Sequence, residues 1–120
     1  MISIFLNSFA SFFTRLASGY DKLRADMLLG AVRSPKWGKV RRLFLRDNPV
    51  CAVCGTGKDL DVHHLIPFSR DPSLELEYTN LITLCRPHHL LCGHLMSWFS
   101  YSDTCRSDVA YFAEKIAKRP

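Results

Sequence analysis

Residues 51–54 read Cys51-Ala-Val-Cys54 and residues 85–88 read Cys85-Arg-Pro-His88, and these two short loops govern how the rest of the chain is read. Each supplies two sulfur or imidazole donors across a tight turn. A tetrahedral structural zinc takes four such donors from two knuckles. A lone Cys-x-x-Cys pair is also compatible with redox chemistry, but no βαβ pattern of the thioredoxin kind surrounds this one. The second knuckle therefore points to a structural zinc on Cys51, Cys54, Cys85 and His88. Four ligands close that sphere, so zinc would organise the fold there without catalysing anything. His63, His64, His89 and His94 remain for another role.

Outward from the knuckles, all five histidines and four of the five cysteines lie between Cys51 and His94, so the chemistry is concentrated in that stretch. Within it Leu60, Val62, His64 and Ile66 alternate with Asp59, Asp61, His63 and Leu65, which predicts a strand ending at Pro67. Residues 69–79 read as a loop, Leu81 to Leu84 as a second extended segment, and His88 to Leu95 as a helix start. Neighbouring strand residues point to opposite faces, so His63 and His64 are not expected to ligate one ion on a regular strand. One of them can bind a metal while the other serves as a base. A divalent ion held by imidazoles can polarise a phosphate, and a nearby histidine can take a proton from water.

With this division in place, the pattern resembles the HNH endonuclease family. The residues that carry the resemblance are Cys51-Ala-Val-Cys54-Gly55, Asp61-Val-His63-His64-Leu-Ile-Pro67 and Asn80-Leu-Ile-Thr-Leu-Cys85-Arg-Pro-His88-His89. The resemblance implies an α+β fold: a ββα-metal HNH core stapled by the zinc and flanked by N- and C-terminal helices. It implies that His64 is the general base, that His63 and His89 hold the catalytic metal, and that Asn80 orients the loop carrying the base. That metal would be Mg2+ or another divalent ion such as Mn2+. The reaction would be hydrolysis of DNA phosphodiester bonds to 3′-hydroxyl and 5′-phosphate ends. Some members carry a further ligand one turn after the position of His89. Here Gly93 stands at that position and His94 one residue beyond, so His94 is an additional candidate ligand or phosphate contact. Asp61 reads as a strand or loop carboxylate, and Cys92 and Cys105 read as buried thiols. An Arg-Ser-Pro-x-Trp segment at Arg33 to Trp37 extends the likeness to small stand-alone HNH proteins of bacteria and phages.

Upstream, Ser34-Pro35 has the form of an N-cap followed by proline at the first helical position, opening a helix through about Arg46. Trp37, Val40 and Phe44 share its packing face, and Lys39, Arg42 and Arg46 lie opposite. These three cations and Arg86 are candidate phosphate contacts. Farther upstream, Ile2, Phe5, Leu6, Phe9, Phe13 and Leu16 form an apolar stripe at helical spacing. Residues 1–32 are thus expected to form an amphipathic helical extension, with Gly30 as a stop, and residues 33–120 the nuclease domain with its core motif at 51–94. The stripe suits docking on this domain, on a protein partner or on a second copy, or lying on a membrane surface. At the other end, Ser107 is placed to cap a helix in which Val109, Phe112 and Ile116 share a face.

The 120 residues support one domain whose core alone would be marginal, so a metal staple would add needed stability. The formal net charge of +5 suits a polyanionic partner such as DNA. No apolar run reaches the roughly 18 residues of a membrane span. An odd number of cysteines in metal-type spacing argues against a disulfide framework and for a reducing, cytoplasmic setting. The N-terminus has no leading positive charge and makes a poor secretory signal. Two other readings fit the zinc knuckles: a nucleic-acid-binding module without catalysis, and a nuclease subunit active only within a larger assembly.

Overall fold

In the computed structural model the described residues are 32–120, so the predicted apolar stripe from Ile2 to Leu16 and the stop at Gly30 lie outside them. The chain divides into two units, Met1–Arg33 and Ser34–Pro120.

The centre of the second unit is a two-stranded antiparallel sheet of β1 (Leu60–His64) and β2 (Leu81–Cys85). The register pairs Asp61 with Leu84, Val62 with Thr83, His63 with Ile82 and His64 with Leu81. Pairing assigns the faces. Val62, His64, Leu81 and Thr83 project to one side, and Asp61, His63, Ile82 and Leu84 to the other. Every residue of β2 is buried, because the strand is covered on both sides.

On the first side lies α1 (Trp37–Asp47). Phe44 is buried against Val62 and Leu81, with Trp37, Val40 and Leu45 completing the cluster. Thr83 Oγ1 ties the same side to the end of α1 by donating to the Asn48 carbonyl at 2.9 Å. The helix begins at Trp37 rather than at Pro35. Ser34 still organises the entry, its carbonyl accepting from Trp37 N–H at 3.0 Å and its hydroxyl from Lys36 N–H at 3.2 Å. Pro35 and Lys36 form a turn instead.

On the second side, α2 (Arg86–His88) runs straight into a π turn (His89–Gly93), and α3 (Cys105–Ala117) packs beyond it. Cys51, Val53, Ile82, Leu84, Cys92, Cys105 and Val109 make the core there, with Leu60, Leu65 and Ile116 at its margin. Cys92 and Cys105 are buried at 3% and 2% exposure, as expected of thiols used for packing. α3 starts two residues before the predicted cap, because burying Cys105 draws the first turn upstream. Thr104 Oγ1 donates to Asp108 Oδ2 at 2.9 Å, and Ser107 Oγ donates to the Thr104 carbonyl. Val109 and Ile116 face the core as predicted, whereas Phe112 is exposed.

The link from β1 to β2 is the predicted loop, reinforced by two 3-10 turns, Pro72–Leu74 and Tyr78–Asn80. β1 stops at His64, three residues short of the predicted end. Asn80 continues the pairing in its place: its carbonyl accepts from Leu65 N–H at 2.8 Å, and its side chain then serves Ile66.

Candidate metal centres

The first knuckle is a tight turn in which Gly55 N–H donates to the Cys51 carbonyl at 2.9 Å and Gly55 takes φ 76, a left-handed conformation that favours glycine. The second knuckle is the end of β2 passing into α2, where Pro87 tolerates the missing N–H of a first helical turn. Together they bring Cys51, Cys54, Cys85 and His88 into one cluster of ligand atoms. Cys54 Sγ lies 3.9 Å from Cys85 Sγ, Cys51 Sγ 3.6 Å from His88 Nδ1, and Cys85 Sγ 3.2 Å from the same nitrogen. A tetrahedron with Zn–S bonds near 2.3 Å has S···S edges of about 3.8 Å, so the donor set fits zinc. Burial alone would raise the Cys51 thiol, but backbone hydrogen bonds from the knuckles and His88 bring it down to about 6. Cys85 is pushed up to about 11 by burial and by the adjacent Cys51. A divalent cation would relieve the repulsion between the neighbouring sulfurs that opposes their joint ionisation.

A second cluster forms on the second side of the sheet from His63, His89 and His94. His63 comes from β1, where it shares a face with Asp61. His89 opens the π turn and His94 follows it. The extra residue in that turn carries His94, rather than Gly93, onto the ligand face, and His94 Nε2 lies 3.1 Å from His89 Nε2. His63 Nδ1 is 3.1 Å from the same His89 nitrogen.

Two tautomers are dictated by the partners. His89 Nδ1 donates to Asp61 Oδ2 at 3.0 Å, and His94 Nδ1 donates to the Ser100 carbonyl at 2.6 Å. Both Nε2 atoms therefore present lone pairs to each other. Facing lone pairs at that distance repel, and a shared cation would reconcile them. Protonation is disfavoured as well. Burial, with the neighbouring imidazoles of His89, His94 and His64, lowers His63 to about 3. Burial also lowers His89, against the opposing pull of Asp61. Among the described residues His63 Nε2 is buried without a hydrogen-bond partner, so Nδ1 is the atom it turns toward His89.

Asp61 is a strand carboxylate, as read from the sequence, but its place behind His89 was not anticipated. Burial would raise its carboxyl, but hydrogen bonds from His89 and Arg86 overcome that and hold it low. Arg86 Nε donates to Asp61 Oδ2 at 2.8 Å, so this predicted phosphate contact stands in an ion pair beside the cluster. The available signal was its i, i+2 relation to His63 on one strand. Gly93 is a second such residue: a Cβ there would lie 2.9 Å from His63 Cε1 and 3.1 Å from His89 Cδ2. Trp98 is a third, its ring 5.0 Å from both the His89 and His94 rings.

His64 lies on the opposite side of β1. Its ring stacks on Trp37 at 4.4 Å between centroids, and its Nε2 donates to the Glu75 carbonyl at 2.9 Å. That donation makes Nδ1 the basic atom. Asn80 is buried beneath the turn that follows: Oδ1 accepts from Ile66 N–H at 2.8 Å, and Nδ2 donates to the carbonyls of Ile66 and Leu74 at 3.0 and 3.3 Å. Lys39, Arg42 and Arg46 are exposed on the outer side of α1, with Arg46 paired to Asp47. Among the described residues no helix is long and apolar enough to cross a membrane.

No curated protein and no solved structure matches the chain. Residues 51–92, which hold the whole cysteine knuckle set together with His63, His64, Asn80 and His89, match the model of the family described as HNH endonuclease, and this stretch of the chain is an HNH domain.

Proposed function

We propose that the protein is a metal-dependent endonuclease that hydrolyses DNA phosphodiester bonds to 3′-hydroxyl and 5′-phosphate ends. The observation that carries this reading is the facing lone pairs of His89 and His94 beside His63, with a histidine of defined tautomer on the next strand residue. His63, His89 and His94 would hold a divalent ion, and Cys51, Cys54, Cys85 and His88 a structural Zn2+. The catalytic ion supplies Lewis-acid stabilisation of the charge that builds on the phosphate and the leaving 3′ oxygen.

The protein's own groups do the rest. His64 accepts the proton of the attacking water at Nδ1, while the Glu75 carbonyl and the Trp37 ring keep the imidazole in place. Asn80 holds the turn at Ile66 and so the end of the strand that carries the base. Asp61 orients His89 and raises its basicity as a ligand. Lys39, Arg42 and Arg46 supply phosphate contacts along the strand. Three imidazoles suit Mn2+ or another borderline ion better than Mg2+, which prefers oxygen.

Conversion of supercoiled plasmid to nicked or linear DNA with Mn2+ tests the reading. His64→Ala should slow cleavage by roughly a hundredfold or more. Equal inertness of wild type and variant with Mn2+, Mg2+, Ni2+ and Zn2+, on plasmid and on oligonucleotides, would overturn it in favour of a nucleic-acid-binding module. Activity appearing only with an added protein would favour the subunit alternative.

A further inference from the structure

The segment after His94 enters the hydrolytic reading only through the Ser100 carbonyl that fixes the His94 tautomer, yet the whole of it turns around the histidine cluster. Leu95 and Met96 take φ 53 and 67, a left-handed conformation that is costly outside glycine and is retained where surrounding structure demands it. Their reversal leads into a turn closed by Ser100 N–H donating to the Ser97 carbonyl at 2.9 Å, with Trp98 and Phe99 at its two corners. Both ends of the turn are latched to one residue. Ser97 N–H donates to the His94 carbonyl at 3.0 Å, and His94 Nδ1 donates to the Ser100 carbonyl. Trp98 leans on His89 and His94 and is 48% exposed, while Phe99 is wholly exposed at 102%.

We propose that the Trp98–Phe99 corner is a base-stacking site that takes an unpaired nucleobase of a nucleic-acid strand whose backbone crosses the His63, His89 and His94 cluster. The inference rests on the nuclease reading for the position of the phosphate. Phe99 buries nothing in the described domain, so its ring is a surface for a ligand with a flat apolar face. A nucleobase attached to a phosphate backbone matches both the ring and the adjoining cation site. The formal net charge of +5 favours that polyanion over a second, equally basic copy of this chain. Bases inside a duplex are already stacked, so an aromatic corner of this kind engages a strand that is single or locally unpaired. The substrate class is therefore DNA with an unstacked base beside the scissile bond.

Binding is measured on the full chain with His64→Ala, to prevent cutting, by anisotropy of a labelled oligothymidylate, the same strand with one abasic position, and the perfect duplex. Single strand should bind tighter than duplex. Adding Phe99→Ala should weaken single-strand binding roughly fivefold to a hundredfold, and on the abasic strand placed over the site it should add little further loss. Circular dichroism melting should show Phe99→Ala folded, since the ring is exposed. Equal affinity of the two proteins for the single strand overturns the proposal, as does a Phe99→Ala loss that persists in full at the abasic position. Sedimentation showing that Phe99→Ala instead dissolves a self-associated form, or protease accessibility newly gained in residues 1–33, overturns it in favour of another occupant. Stacking with wild type inert in cleavage would sink the nuclease reading alone; cleavage with unchanged binding by Phe99→Ala would sink this one alone.

Discussion

Asp61 Oδ2 accepts a hydrogen bond from His89 Nδ1 at 3.0 Å, and the opposite nitrogen of the same ring points at His63 and His94. One carboxylate thus sets the tautomer and the aim of a candidate ligand whose cluster it does not join. Asp61→Ala should lower affinity for Mn2+ by roughly tenfold to a hundredfold, measured by calorimetric titration of protein stripped of metal. Asp61→Asn should lose less, because the amide oxygen still accepts. Unchanged affinity in both variants would remove His89 from the metal site.

Gly93 offers a sharper test of the π turn. Alanine in a helical segment ordinarily adds up to about 1 kcal/mol of stability over glycine. Here its Cβ would meet His63 Cε1 at 2.9 Å and Nδ1 at 3.1 Å, so Gly93→Ala should weaken Mn2+ binding by roughly tenfold or more and leave the melting temperature level or lower. A raised melting temperature with intact metal binding would mean the ring moves aside freely.

Cys54 is exposed, whereas Cys92 is buried in the core. Cys54→Ser would remove one of the proposed zinc ligands without opening a cavity. It should release one equivalent of zinc by mass spectrometry and destabilise the domain by about 3 kcal/mol or more, roughly 12 °C or more in melting temperature. Cys92→Ala should keep its zinc despite the lost packing. The reverse pattern would move the staple elsewhere.

Stability of the protein without catalytic metal should depend on pH through the lowered histidines. His63 falls from its ordinary value to about 3, and His89 is lowered too. Between pH 6.5 and about 3 the unfolded chain binds protons that folded His63 refuses. Stability is therefore full above 6.5 and falls with decreasing pH, at up to about 1.4 kcal/mol per pH unit for each such histidine. Urea unfolding at a series of pH values checks this, and His63→Gln should flatten the slope.

Asn80 should tolerate no partial replacement. Its side chain both accepts from Ile66 N–H and donates to the Ile66 and Leu74 carbonyls. Asn80→Asp keeps only the acceptor, leaving carbonyls opposed by a carboxylate, and should destabilise by about 2–4 kcal/mol and reduce cleavage. Full activity in the aspartate variant would remove Asn80 from the positioning of His64.

The two Cys/His knuckles and the short strand were legible in the sequence because both are local: donor spacing reflects a single turn, and alternation at Leu60–His64 reflects one strand's two faces. The separation of His63 from His64 followed from the same period. Helix starts were read less well, since Cys105 is drawn into a core made by distant residues. His94, Asp61, Gly93 and Trp98 became interpretable only in three dimensions. The π turn that carries His94 onto the ligand face coincides with the burial of Cys92 and the close approach of Gly93 to His63, contacts made across the sheet rather than along the chain. Sequence alone thus determined which residues carry donors suited to a metal, and tertiary packing decided which lone pairs meet.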